Sequence, residues 1–186
     1  MSGTLTHRTL ADLEAALDSI CEAPSDDGVV EMIVRRPEIG RREVLEAAEL
    51  TPQEGLVGDS WRRRRSHHTP DGSPHPDTQL NVMSSRVVTL VAQVQERWPL
   101  AGDQLFVDLD LSAANMPPGT RLAIGSAIIE VSELPHTGCG KFIQRFGVDA
   151  AKFVNSTRGR ELQLRGINAR VVQAGTIRVG DRVRKV

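Results

Sequence analysis

The segment Leu134-Pro135-His136-Thr137-Gly138-Cys139-Gly140-Lys141-Phe142 concentrates the groups able to do chemistry. Glycines flank the Cys139 thiol on both sides, so no Cβ covers it and a ligand can approach the backbone closely. The segment follows a predicted strand and precedes a predicted helix. A helix start offers unpaired N–H groups and a partial positive charge, and Lys141 adds a full one. All three favour thiolate over thiol. A free thiol with a pKa of about 8.5 is only about 3% ionised at pH 7. Lowering that pKa by about two units makes the thiolate the majority form. A thiolate can attack sulfur or carbon, carry a persulfide or bind a soft metal. His136, three residues upstream, could donate a proton or lower the thiol pKa as an imidazolium. Against all this stands the plainer reading of a tight turn that contains a small residue. Cys21, the other cysteine, lies at the edge of an apolar helical stripe and reads as packing.

Other clusters carry weaker signals. Arg62-Arg63-Arg64-Arg65 could steer an anion, as could Arg35 and Arg36. With Lys141, Arg145 and Arg165 they could line one cavity; a solvated charge run is the alternative. His67, His68 and His75 lack the ligand spacing usual for zinc and read as loop residues. Asn81, Asn115, Asn155 and Asn168 could bond a heterocycle, or serve turns. No glycine stands at Ile143, so Gly138-x-Gly140 is no dinucleotide fingerprint, and no phosphate-binding P-loop motif occurs.

The elements that must position these residues read as follows. Residues 9–22 form a helix capped by Thr9, with Leu10, Leu13, Leu17 and Ile20 on one stripe. Residues 1–27 are taken as an N-terminal helical appendage and 28–186 as the main domain. Val29 to Val34 is a strand; Arg42 to Leu50 is a short helix or a strand. Residues 62–78 are a long surface loop. Val82 to Val94 leans towards helix. Gln104 to Leu111 alternates as a half-buried strand. Arg121–Ile124 and Ala127–Leu134 are strands around Gly125-Ser126. Lys141 to Val154 is helical, and Leu162–Leu164, Ala169–Gln173 and Ile177–Val186 are strands. Short strands without β-α-β alternation predict a mainly β fold, a barrel with a few peripheral helices and an N-terminal helix.

The 186 residues suit one domain, with or without an appendage. A net charge of −1 argues against a general nucleic-acid binder. With two Trp, four Phe and no Tyr, a base-stacking surface is not expected either. Two cysteines exclude a disulfide scaffold and a four-cysteine iron–sulfur cluster within one chain. No run of about 18 apolar residues is present, and the first eight residues lack an apolar signal core. The expectation is a reduced, cytoplasmic protein with no membrane or nucleic-acid partner.

The cysteine segment resembles the MOSC domain, the module named after the C-terminal part of molybdenum-cofactor sulfurases. The residues that carry the resemblance are Pro135-His136-Thr137-Gly138-Cys139-Gly140-Lys141-Phe142, Arg145-Phe146-Gly147 and Phe153-Val154-Asn155. Arg165-Gly166-Ile167-Asn168-Ala169-Arg170-Val171-Val172 and Gly175-Thr176-Ile177-Arg178-Val179-Gly180-Asp181 continue it. Upstream, Arg35-Arg36-Pro37 and Gly55-Leu56-Val57-Gly58-Asp59 fit the family's early strand and loop. The match spans residues 28–186.

The resemblance implies a mixed β-barrel that binds a molybdenum–pterin cofactor, with Cys139 as metal ligand or persulfide carrier. Some members reduce N-hydroxylated compounds; others belong to enzymes that sulfurate the cofactor. The expected catalytic set is Cys139, His136 and Lys141. The expected cofactor-binding set is Arg35, Arg36, Arg62, Gly138, Gly140, Arg145 and Asn168. The chain has no pyridoxal-phosphate-dependent portion and lacks the N-terminal barrel region of some reductases. The loop 62–78 and the first 27 residues have no counterpart. A small-molecule substrate and an external electron or sulfur donor protein are the expected partners. A metal-free thiol or persulfide carrier and a non-catalytic ligand-binding barrel remain as alternatives.

Overall fold

The computed structural model describes residues 6–66 and 69–186. Its strands are β1 (Gly28–Arg35), β2 (Glu43–Leu45), β3 (Ala47–Thr51), β4 (Gly55–Leu56), β5 (Leu80–Ser84), β6 (Leu105–Asp108), β7 (Arg121–Ile124), β8 (Ala127–Pro135), β9 (Ile167–Gln173), β10 (Gly175–Arg178) and β11 (Arg182–Lys185). Among the described residues, seven of these close a ring in the order β11-β7-β8-β9-β5-β6-β1, with β1 pairing back to β11. The β5–β6 pair is parallel and the other ring pairs are antiparallel, so the barrel is mixed, as expected. β2 pairs with β1, and β10, β3 and β4 form a small second sheet.

Two apolar layers hold the fold. The barrel interior is filled by aliphatic side chains such as Ile33, Val82, Leu105, Val107, Ile129 and Val183. All four phenylalanines (Phe106, Phe142, Phe146 and Phe153) sit instead in a second layer outside the wall. There they meet helices α1 (Leu10–Ala15), α2 (Leu17–Cys21), α3 (Ser85–Ala92), α4 (Gly140–Phe146) and α5 (Val148–Asn155). Strand β6 shows why both layers exist. Leu105 and Val107 face the interior while Phe106 faces the helices, so the strand is apolar on both sides.

Several expectations are corrected here. The single helix over residues 9–22 divides at Ala16 into α1 and α2. Thr9 caps α1 reciprocally with Asp12. Cys21 is exposed rather than packed. The 82–94 segment begins as strand, because β5 pairs on both edges with β6 and β9, and turns helical only at Ser85. The open choice for 42–50 resolves as two strands, β2 and β3. The 141–154 helix breaks at Gly147, whose φ of +91° and close approach to the His7 ring leave no place for a Cβ. Leu162–Leu164 is the turn after α6 (Thr157–Glu161), not a strand. The 177–186 strand divides at a turn into β10 and β11. Loop 62–78 is anchored by buried Trp61, whose indole N–H donates to the His75 carbonyl at 3.3 Å. His67 and His68 lie outside the described residues. No helix among the described residues is long and apolar enough to cross a membrane.

Candidate functional site

The end of β8 and the start of α4 bracket a short loop that carries Cys139. Asn155, at the end of α5, fixes it from behind. The Gly138 N–H donates to Asn155 Oδ1 at 2.9 Å, and Asn155 Nδ2 donates to the Gly138 carbonyl at 3.1 Å. A Cβ on Gly138 would stand 3.0 Å from Asn155 Nδ2 and 3.1 Å from Val154 Cγ2. Gly138 is therefore small for packing. Gly140 differs: a Cβ there meets nothing within 4 Å, so this glycine leaves open space beside the thiol.

Cys139 caps α4 in extended conformation and its side chain is exposed. Partial burial pushes its pKa up. The N–H groups of Phe142 and Lys141 and the charge of Arg165 outweigh that, and the net shift is downward. No formal cap hydrogen bond reaches the sulfur, so the N–H groups act through their field. A lowered thiol pKa extends the thiolate to lower pH. The rate of Cys139 alkylation by iodoacetamide is expected to reach half its maximum below the ordinary thiol value of about 8.5. Peptide mapping that tracks the Cys139 adduct separately from the Cys21 adduct checks this; a midpoint at or above that value contradicts it.

The thiol opens on a cavity of about 970 Å³. Arg36, Arg42, Arg145 and Arg165 line it from the barrel wall and the helical layer, Arg63, Arg64 and Arg65 from the loop after β4, and Lys141 beside the thiol. Among the described residues, Glu38 is the one acidic residue in its lining. Two of the arginines have their own counter-ions. Arg36 is clamped by Asp59, with Nε to Oδ2 at 2.9 Å and Nη2 to Oδ1 at 3.0 Å. Arg165 is clamped by Asp103, with Nη1 at 3.0 and 2.8 Å from the two carboxylate oxygens. Among the described residues, no carboxylate pairs with the other arginines of the cavity. Burial and the charges of Arg145 and Arg36 push Arg42 down, and its buried Nε has no partner. Burial and the charges of Arg36 and Arg42 push Arg64 down to about 10. Like charges held this close favour an anion between them.

The structure thus brings Arg36, Arg145, Arg165, Lys141, Gly140 and Cys139 together. Arg35 turns outward to pair with Glu43 at 2.6 Å and does not line the cavity, and neither does Arg62. Arg42, Arg63, Arg64 and Arg65 take their place. Asn168 holds backbone instead, donating to the Leu134 carbonyl at 3.0 Å and accepting from Asn81 Nδ2 at 2.6 Å. His136 faces a second, smaller cavity across Arg165 from the first. Burial, then the charges of Arg165 and Arg36, holds its pKa well below the usual value. The ring is neutral at pH 7, so it does not act on the thiol as an imidazolium. Among the described residues no group of three His, Cys, Asp or Glu side chains converges on a metal position.

The MOSC domain family model matches residues 75–184. The crystal structure of the YuaD protein from Bacillus subtilis superposes with a TM-score of 0.61 at 16% identity, over 84% of this chain and 93% of that one. YiiM from Escherichia coli superposes with a TM-score of 0.54 at 20% identity, over 85% of this chain and 69% of that one. YiiM from Geobacillus stearothermophilus gives 0.51 at 17% identity, over 88% and 74%. Curated proteins give no match. At these identities the superpositions establish the barrel, and the family match spans more than half of the chain. Barrel, cysteine loop and family match agree, and the chain belongs to the MOSC domain family.

Proposed function

We propose that the chain binds a molybdenum–pterin cofactor in the basic cavity, for reduction of N-oxygenated small molecules or for sulfur transfer to the cofactor. One observation carries this reading: the exposed Cys139 thiol shares one cavity with a set of arginines that have no counter-ion among the described residues. The residues fit such a group. A pterin phosphate needs guanidinium donors, and Arg42 has a buried Nε with no partner. A soft metal prefers thiolate, and the Cys139 thiol is shifted towards ionisation. When bound, the cofactor would supply two-electron redox chemistry at molybdenum.

The chain's own residues do the rest. Arg42, Arg64 and Arg65 hold the anionic end, Gly140 leaves room beside the sulfur, and Asn155 keeps the loop in place. Lys141 adds positive charge beside the thiolate. Electrons or sulfur arrive from a partner protein, which can reach the exposed thiol. A reducing, cytoplasmic setting keeps Cys139 free.

The exposure of Cys139 also favours a metal-free persulfide carrier as a second reading. Native mass spectrometry with elemental analysis separates the two, on protein from a host that makes the molybdenum cofactor. The expected result is about one molybdenum and one pterin per chain, lost in Cys139→Ser while its melting temperature stays unchanged. A persulfide mass of +32 on metal-free protein would favour the carrier reading. Neither mass, with ligand binding untouched in Cys139→Ser, would leave a non-catalytic binding barrel.

A further inference from the structure

The second cavity, of about 290 Å³, lies on the far side of Arg165 from the thiol. The loop that carries Cys139 divides the two chambers: Leu134 to Thr137 line the small one, and Cys139 lines the large one. Arg165 lines both. Their chemistry is opposite. The charged groups of the small chamber cancel, since Arg165 is answered by Asp103, and exposed Glu133 and Arg160 have opposite signs. Met116, Val131, Leu134 and Val154 supply an apolar wall.

Behind this wall, two buried polar atoms make no hydrogen bond. Arg165 is 5% exposed, and its Nε is buried without an acceptor. His136 Nδ1 is buried and forms no hydrogen bond; its nearest acceptor is Asp103 Oδ1 at 3.4 Å. That carboxylate favours the tautomer with the proton on Nδ1, which leaves Nε2 as the ring's acceptor. Neither atom is open to the chamber, so the chamber offers a ligand its apolar wall and, at the rim, exposed Glu133 and Arg160.

We propose that this second chamber binds a small uncharged molecule, one or two rings in size, against its apolar wall. The volume lies at the lower end of small-molecule sites. Arg165 is already neutralised by Asp103, so neither a carboxylate nor a cation gains a free counter-ion from the inner wall. Binding in this chamber follows from its geometry alone. Its use as the substrate side of the reaction rests on the cofactor reading above, with Arg165 the shared wall between substrate and cofactor.

Benzamide, benzoate and benzamidine test this on the full chain, being similar in shape and neutral, anionic and cationic. Amide-resolved NMR titration of the metal-free protein is expected to show saturable shifts at Val131, Gly166 and Asn168 with benzamide. Benzamidine should give none, and benzoate shifts only around Lys141 and Arg145, in the basic cavity. Thr137→Trp, an exposed rim position, should weaken benzamide at least tenfold and leave inorganic phosphate binding unchanged. Equal affinity of all three probes in this chamber would overturn the proposal. So would benzamide shifts confined to the basic cavity, or full benzamide affinity in folded Thr137→Trp. Because the probes need no metal, these results stand whether or not molybdenum is found, and loss of the metal alone sinks only the cofactor reading.

Discussion

Asp59→Ala is expected to lower the melting temperature by about 6–20 °C. The Asp59 carboxylate is fully buried and accepts four hydrogen bonds, from Arg36 Nε, Arg36 Nη2 and the backbone N–H groups of Arg36 and Trp61. Arg36 is also buried, and its Nη1 holds Asn81 and the Gly102 carbonyl. Removing the carboxylate leaves a buried guanidinium facing the other arginines with nothing to answer it. Breaking one side of a buried pair costs about 3–5 kcal/mol, and for a chain of this length each kcal/mol moves the midpoint by about 2–4 °C. Replacing both partners, as Arg36→Met with Asp59→Leu, should cost distinctly less, because no charge is stranded. Thermal unfolding followed by circular dichroism at fixed salt measures both. A shift under about 2 °C for Asp59→Ala would show that the cavity floor does not depend on this pair.

Arg64→Gln is expected to act in two opposite directions. Without ligand it should raise the melting temperature, since the Arg64 charge is disfavoured by burial and by Arg36 and Arg42. The sign follows from the lowered pKa: the folded state holds this proton less tightly than the unfolded chain, so at pH 7 the charge works against folding. Much of the Arg64 residue is open to solvent even though its guanidinium lies close to Arg36 and Arg42, which screens the effect, and a rise of about 1–3 °C is the expected size. Binding of inorganic phosphate should weaken at the same time by about tenfold, the equivalent of one charge-assisted hydrogen bond. With Arg42→Gln added, the loss should exceed thirtyfold. Calorimetric titration and thermal melts at two salt concentrations report both signs. A variant that loses stability and keeps its phosphate affinity would mean that these guanidiniums are structural.

The cysteine loop was legible because its signal is local: glycines flank one thiol between a strand and a helix. The arginine cavity was legible only in outline. Arg35 and Arg36 are adjacent, and strand geometry sends neighbours to opposite sides. Arg35 pairs with Glu43 across β1–β2, while Arg36 turns inward to Asp59. Sequence does not reveal which is which until the register is known. The two counter-ions carry no sequence signal for a related reason. Asp59 ends the glycine-containing stretch Gly55 to Asp59, and Asp103 precedes a strand with nothing to mark it. Their partners are brought to them by barrel closure, not by spacing. The 82–94 segment misled because an apolar run buried on both faces fits strand and helix equally. Cys21 misled because the stripe beside it is buried at Leu13 and Ile20 while its own position is not.

The ring closes through β1 and β11, with Gly28 opposite Val183 and Val29 opposite Arg182. The first barrel strand thus waits for the last, and nearly the whole chain must be present before the wall is continuous. Contacts between such distant residues carry a large loop-closure entropy and slow folding. During synthesis β1 and β6 can pair, but the open edges of β1 and β7 remain exposed until Arg182–Lys185 emerges. Shortening the chain before Arg182 removes a single strand, β11, yet it opens the whole ring. It leaves two unpaired edges on either side of a gap, a form prone to pair with neighbouring chains.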